Sequence, residues 1–261
     1  MGIPSPIVVV TDLDGTLLDD RTYEAGAAAD AVTTLQAAGV LVICCSAKTR
    51  VEQQVHREAL GIRGPFIIEN GAAVCADDDV LLRVFGLAYD DVRKRLAQTA
   101  AMLGVTTRGF GDMPVAELME RTGLPEAAAV RAKDREYTEP FVVTDADPSQ
   151  HELADALDAV GLKLQRGARF WTAGGAHDKG LATGWLREQL VAGMGERPLI
   201  YGIGDAHNDA AMLAAVDVPY LVQRPGGVWA DLEIDGMERI VGVGPQGWCQ
   251  AADRILAASG A

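Results

Sequence analysis

Aromatic side chains are scarce in this sequence: five Phe, four Trp and five Tyr among 261 residues, or 5%. The core must instead rest on small and branched apolar residues, a profile common among α/β proteins. Cysteine is equally sparse, with only Cys44, Cys45, Cys75 and Cys249. Two of the four are adjacent inside an apolar run, a spacing that suits neither a disulfide framework nor a zinc site. What remains is buried, reduced thiols in a reducing compartment. Basic residues are outnumbered, 23 Lys and Arg against 37 Asp and Glu, for a net charge of −14. That charge opposes polyanions, so nucleic acid and anionic membranes are not expected partners. No apolar run approaches the roughly 18 residues of a membrane span. The opening apolar stretch, Ile7–Val10, is too short for the core of a secretory leader. The expectation is a cytoplasmic protein.

What is present suits a globular protein, with 49% hydrophobic and 23% charged residues. Ile7–Val10 is a short unbroken apolar run, as in a strand buried on both faces. Helical spacing of Ala31, Val32, Leu35 and Ala38 follows, ending at Gly39. Val40–Cys45 reads as a second strand, the stretch with Val51, Val55 and Ala59 as a helix, and Phe66–Ile68 as a third strand. Strand–helix–strand repetition with short links predicts right-handed crossovers and a parallel sheet. The middle differs. A hairpin over Ala73–Phe85 turning at Asp77–Asp79 precedes helices over Val92–Leu103 and Val115–Arg121. Then come a strand at Phe141–Thr144, a helix at Leu153–Val160, and two strands, Leu162–Gln165 and Arg169–Thr172, joined antiparallel through 166–168. Alternation returns after Gly175, with a helix carrying Leu181, Trp185 and Leu190, strands at Leu199–Ile203 and Val218–Val222, a helix at Ala210–Ala215 between them, and a last helix at Trp248–Leu256. The expected fold is α/β: a Rossmann-like parallel-sheet core over 1–83 and 174–261, with an inserted α+β cap over 84–173.

Chemistry concentrates at predicted strand ends. Asp12-Leu13-Asp14-Gly15-Thr16 follows the first strand, and in open parallel sheets the carboxyl ends of the strands form the ligand crevice. Two carboxylates there can converge on one hard cation. Gly202 to Asp209, containing Asp205, Asn208 and Asp209, follows another predicted strand. Ser46 follows the second strand and Lys179 opens a helix, offering the hydroxyl and ammonium that a transferring phosphoryl group needs. Taken singly, each has a structural alternative: an acidic turn, a helix N-cap, a capping serine, a solvated lysine. Their joint order favours one shared site.

That order resembles the haloacid dehalogenase-like phosphatase superfamily. The resemblance implies a nucleophile at Asp12, forming an aspartyl-phosphate, with Asp14 as general acid and then base. It implies Mg²⁺ held by Asp12, the Asp14 carbonyl and Asp205, supported by Asn208 and Asp209, with Ser46 and Lys179 on the phosphoryl oxygens. More narrowly, the chain resembles the mannosyl-3-phosphoglycerate phosphatases of the sugar-phosphatase branch. The stretches that carry this are Ser46–Arg50, Glu69-Asn70-Gly71, Gly109–Met113 with Thr122–Leu124, and Arg131–Tyr137. The implied substrate is a small phosphorylated sugar acid, mannosyl- or glucosyl-3-phosphoglycerate, whose product serves as a compatible solute. Candidate substrate contacts are Lys48, Thr49, Arg50, Glu69, Asn70, Gly71, Arg131, Lys133, Arg135 and Arg169, against the alternative of solvated helix faces for the cap cations. Phe170 and Trp171 are candidates to stack on a sugar or to pack in a strand core. His177 and His207 lie beside the motifs and are read as packing residues or as support behind the site residues. Alternatives are a phosphatase of another sugar phosphate, a phosphomutase, which changes the reaction class, or a binding module on the same scaffold.

Overall fold

The protein, seen in a computed structural model, is described over residues 6–145, 148–166 and 169–259. Strand β1 (Ile7–Thr11) leads through helix α1 (Ala28–Ala37) to β2 (Leu41–Cys44), and α2 (Arg50–Ala59) follows. Val8, Val9 and Val10 are all buried, which explains the unbroken apolar run. Successive side chains of a strand point to opposite faces. Accordingly Val9 packs in one core layer with Leu13, Val42 and Trp248, while Val8 and Val10 pack in the other with Ile43, Met212 and Leu213.

Next come β3 (Phe66–Ile68), β4 (Ala73–Cys75) and β5 (Leu81–Val84), an antiparallel sheet whose last two strands turn at Asp77–Asp79 as expected. The following elements are α3 (Tyr89–Leu103), β6 (Thr107–Gly109), α4 (Val115–Thr122), α5 (Glu126–Ala132), β7 (Glu139–Val143), α6 (Gln150–Asp158), β8 (Lys163–Arg166) and β9 (Trp171–Gly174). Their four strands form an antiparallel sheet in the order β6-β7-β9-β8. A buried cluster of its own, including Val92, Leu96, Phe141, Leu153 and Leu157, lies beneath it. The pair β8–β9 is antiparallel, with Lys163 opposite Gly174 and Arg166 opposite Trp171. Residues 167 and 168 of the expected link lie outside the described residues.

The chain then returns through α7 (Lys179–Met194), β10 (Leu199–Gly204), α8 (Ala210–Ala214), β11 (Val218–Gln223), β12 (Glu238–Val243) and α9 (Pro245–Ser259). The parallel sheet has the order β12-β11-β10-β1-β2. β1 thus sits where the strand order reverses, the switch point at which such sheets leave a crevice. The sequence reading lacks β6, α5 and β12. Among the described residues no helix is long and apolar enough to cross a membrane. All four cysteines are unpaired, and burial pushes the Cys44 thiol up to about 12.

Candidate active site

The site grows from the ends of β1 and β10. The Asp12 N–H donates to the Ile203 carbonyl across the two strands (2.9 Å), so Asp12 emerges beside Asp205. Gly15, at φ 79°, makes the turn after Asp14, and a Cβ there would sit 3.0 Å from Asp205 Oδ2. The Thr16 hydroxyl closes this turn onto the neighbouring strand by donating to Asp205 Oδ1 (3.0 Å). Asp12, Asp205 and Asp209, all buried, present carboxylate oxygens within 4.8 Å of one another.

The three carboxylates are not equivalent. Asp209 Oδ1 accepts from Lys179 Nζ (2.6 Å), and its Oδ2 accepts the N–H groups of Asp205 and Ala206 (3.0 and 3.1 Å). Both oxygens are therefore engaged in shaping the loop. Lys179 Nζ also reaches Asp12 Oδ1 (2.7 Å), and Asp12 lines the adjoining cleft. Burial opposes the charge on Lys179, but Asp12 and Asp209 outweigh it and hold its pKa above the usual lysine range. Burial raises the Asp12 carboxyl well above the ordinary range, Lys179 lowers it, and Asp209 raises it again. Burial, Asp209 and Asp12 likewise raise Asp205. One ammonium among three buried carboxylates leaves excess negative charge. An oxygen-only donor set with that imbalance fits a hard divalent cation such as Mg²⁺.

A cleft of about 810 Å³ opens over this cluster, lined by Asp12, Asp14, Ser46, Asn70, Asp205, His207 and Asn208 among others. A side cavity of about 220 Å³ adjoins it, and Asp14 lines both. Lys48, Arg135 and Arg169 line the side cavity together with Tyr23, Phe110 and Phe170. Lys48 Nζ lies 3.0 Å from Asp14 Oδ1. Asn70 donates to Gln165 Oε1 (2.7 Å), tying the turn after β3 to β8.

Other expected substrate contacts are directed elsewhere. Glu69 is fully buried, and its carboxylate accepts the N–H groups of Glu136, Tyr137 and Thr138 and the Thr138 hydroxyl, at 2.6–3.2 Å. It anchors the approach to β7 rather than lining the cleft. Gly71, at φ 93°, allows the Asp178 carbonyl to pack so closely that a Cβ would lie 1.9 Å from it. This glycine thereby sets the start of α7 and the entry of Lys179. Thr49 caps α2 in a capping box with Glu52, and its hydroxyl donates to the Arg131 carbonyl (3.0 Å). Arg50 pairs with Glu136 (3.0 Å), and Lys133 donates to the Met113 carbonyl. None of Thr49, Arg50, Glu69, Gly71, Arg131 or Lys133 lines either cavity. His177 is buried, and burial pushes its pKa down to about 4, consistent with a packing role. Sequence reasoning missed Arg224, whose Nε lies 3.8 Å from Asp205 Oδ2, as well as Gln165 and Tyr23. No motif flags these three; only the fold brings them to the site.

Residues 9–104 match the family described as haloacid dehalogenase-like hydrolase. A protein of Persephonella marina named glucosyl-3-phosphoglycerate/mannosyl-3-phosphoglycerate phosphatase is 31% identical, over 96% of this chain and 97% of that protein. A protein of the same name from Methanococcoides burtonii is 34% identical, over 94% and 95% of the two chains. The crystal structure of Thermoplasma acidophilum 0175 shares the fold, with a TM-score of 0.70 over 98% of this chain and 99% of that one, at 18% identity. Similarity at this level over nearly the whole chain establishes the kinship: this chain belongs to the haloacid dehalogenase-like phosphatases and is a phosphoric monoester hydrolase.

Proposed function

We propose that the protein is a Mg²⁺-dependent phosphatase that releases phosphate from glucosyl- or mannosyl-3-phosphoglycerate. The observation that carries this is the pairing of an acidic cleft with a side cavity that sets Lys48, Arg135 and Arg169 beside Asp14, Asp20 and Glu52, the two meeting at Asp14. A substrate with one phosphate, one carboxylate and one neutral sugar needs such a pairing. The phosphate goes to the cleft, and the rest passes Asp14 into a chamber holding Lys48, Arg135 and Arg169. Guanidinium groups suit a carboxylate because they offer paired donors. Two relatives bearing the name of that activity, matched along nearly their full length, support the assignment.

In this reading Asp12 Oδ2 attacks phosphorus, forming an aspartyl-phosphate as the leaving oxygen departs. Asp14 protonates that oxygen, then takes a proton from the water that cleaves the acyl phosphate. Ser46 and Lys179 hold the phosphoryl oxygens. Asp12, the Asp14 carbonyl and Asp205 would hold magnesium, with Asn208 and Asp209 behind them. The ion, when bound, neutralises charge that would otherwise repel an anionic substrate from a carboxylate nucleophile. Segments 1–83 and 174–261 form the catalytic core, and 84–173 the cap that selects the substrate.

Phosphate release from a panel tests this: mannosyl- and glucosyl-3-phosphoglycerate beside sucrose 6-phosphate, trehalose 6-phosphate and hexose phosphates. One of the glycosyl-phosphoglycerates is expected to give the highest kcat/KM. If both rank at the bottom, the substrate assignment is wrong.

A second prediction concerns the cation. Asp12 and Asp205 carry raised pKa values, so the folded, metal-free protein binds protons there that the unfolded chain has released. Their contribution to stability is present at low pH and lost as pH rises through the raised values. Cation and proton compete for the same oxygens. The increase in Tm on adding Mg²⁺ to chelator-treated protein is therefore expected to be larger near pH 8 than near about pH 5. An equal increase at both would show that the ion binds elsewhere.

A further inference from the structure

Tyr23 takes no part in the phosphoryl chemistry, yet it is held beside it in an unfavourable conformation. Its φ of 58° lies in the left-handed region, which disfavours a bulky side chain. The turn that imposes it is built by Asp19. The Asp19 carboxylate accepts the N–H groups of Arg21 and Thr22 (2.9 Å each), and its carbonyl accepts the N–H of Tyr23 (2.9 Å). The Asp19 N–H in turn donates to the Glu24 carbonyl (2.9 Å). Backbone strain of this kind persists only where the surroundings over-determine it, and it clusters at ligand sites.

The surroundings here come from separate parts of the chain. Lys48, just after β2, places Nζ 4.8 Å from the centre of the Tyr23 ring. Arg169, just before β9, donates to the Tyr23 hydroxyl (3.3 Å) and to the Thr122 carbonyl (2.7 Å). The ring thus forms part of the wall of the side cavity, facing a chamber that also includes Phe110 and Phe170.

We propose that Tyr23 is a specificity-determining residue that receives the sugar ring of the substrate. The inference rests on the function proposed above. With phosphorus at Asp12 and the leaving oxygen at Asp14, the side cavity that Asp14 shares with the cleft lies open to the esterified group. A pyranose presents an apolar C–H face, which an aromatic ring covers at low entropic cost. The strained turn fixes the ring before substrate arrives.

The test compares the wild-type protein with Tyr23→Ala, Tyr23→Phe and Tyr23→Gly. KM and kcat are measured for the preferred glycosyl-3-phosphoglycerate, alongside the inhibition constant of 3-phosphoglycerate, which lacks the sugar. Tyr23→Ala is expected to raise KM about tenfold while kcat moves less than about threefold. The 3-phosphoglycerate constant should change less than about twofold, and Tyr23→Phe, which keeps the ring, should stay within about threefold on KM. Tyr23→Gly, which removes ring and strain together, should lose the same affinity without lowering Tm. An unchanged KM in Tyr23→Ala overturns the proposal. So does a 3-phosphoglycerate constant that rises in step with KM, because the loss is then not of the sugar. A wild-type protein inactive on every glycosyl-3-phosphoglycerate removes the substrate assignment instead. Tyr23 then keeps its role only if Tyr23→Ala still raises KM about tenfold for whichever sugar phosphate is preferred.

Discussion

Asp12→Asn is expected to reduce phosphate release by at least about 10⁴-fold on every substrate, with magnesium present. The substitution is nearly isosteric, and the Asp12 N–H bond to the Ile203 carbonyl (2.9 Å) involves only backbone. The loss therefore belongs to the side chain's chemistry: an amide oxygen does not form a stable bond to phosphorus and cannot carry the phosphoryl group. Stability should move the other way. Burial holds the Asp12 carboxyl above its ordinary pKa, so ionising it in the folded, metal-free protein is unfavourable. Asparagine has no such ionisation, and Lys179 keeps its contact with Asp209 (2.6 Å). Chelator-treated Asp12→Asn should thus melt at or above the wild-type temperature at neutral pH, the trade-off expected where a site is built for reactivity. Activity within tenfold of wild type, measured as phosphate released over time, would exclude Asp12 as nucleophile.

The features that the sequence reveals most clearly are those set by local pattern. Val8 to Val10 reads as a strand buried on both faces, and the acidic turn after it falls at that strand's carboxyl end. Ser46, Lys179 and Asp205 follow from the same rule, since each borders an element of strong periodicity. What stayed hidden depends on long-range contact or weak pattern. β12 is an edge strand in which only Ile240 is buried, so Glu238–Val243 shows little apolar alternation. α5 is a seven-residue helix dominated by alanine, and β6 is only Thr-Arg-Gly. Glu69 looked like a substrate ligand beneath the cap because its place in the chain is right. Its direction is set by three successive positive φ values, at Glu69, Asn70 and Gly71, which no periodicity encodes. Tyr23 is similar. Its position depends on a turn closed by Asp19 and on an arginine 146 residues away.

Lys179→Met should be the second most damaging change, and for a reason that separates it from Asp12→Asn. Lys179 is almost wholly buried and bridges Asp12 and Asp209 at 2.7 and 2.6 Å. Removing the ammonium leaves two buried carboxylates facing each other, and breaking such a pair typically costs about 3–5 kcal/mol. Methionine fills most of the space, so the cost is electrostatic rather than a cavity. The variant should melt at a lower temperature, and added Mg²⁺ should recover part of the loss by restoring positive charge to the cluster. Activity measured where circular dichroism shows an intact fold should still fall about 10²- to 10³-fold, because a fixed cation beside the phosphoryl oxygens acts mainly on the transition state. Lys179→Arg keeps the charge, but a planar guanidinium does not fit a slot made for one nitrogen between two carboxylates. It should therefore recover more stability than activity. If Lys179→Met kept both stability and kcat within a few-fold of wild type, the ammonium would be neither the charge that holds Asp12 and Asp209 together nor a partner of the phosphoryl group.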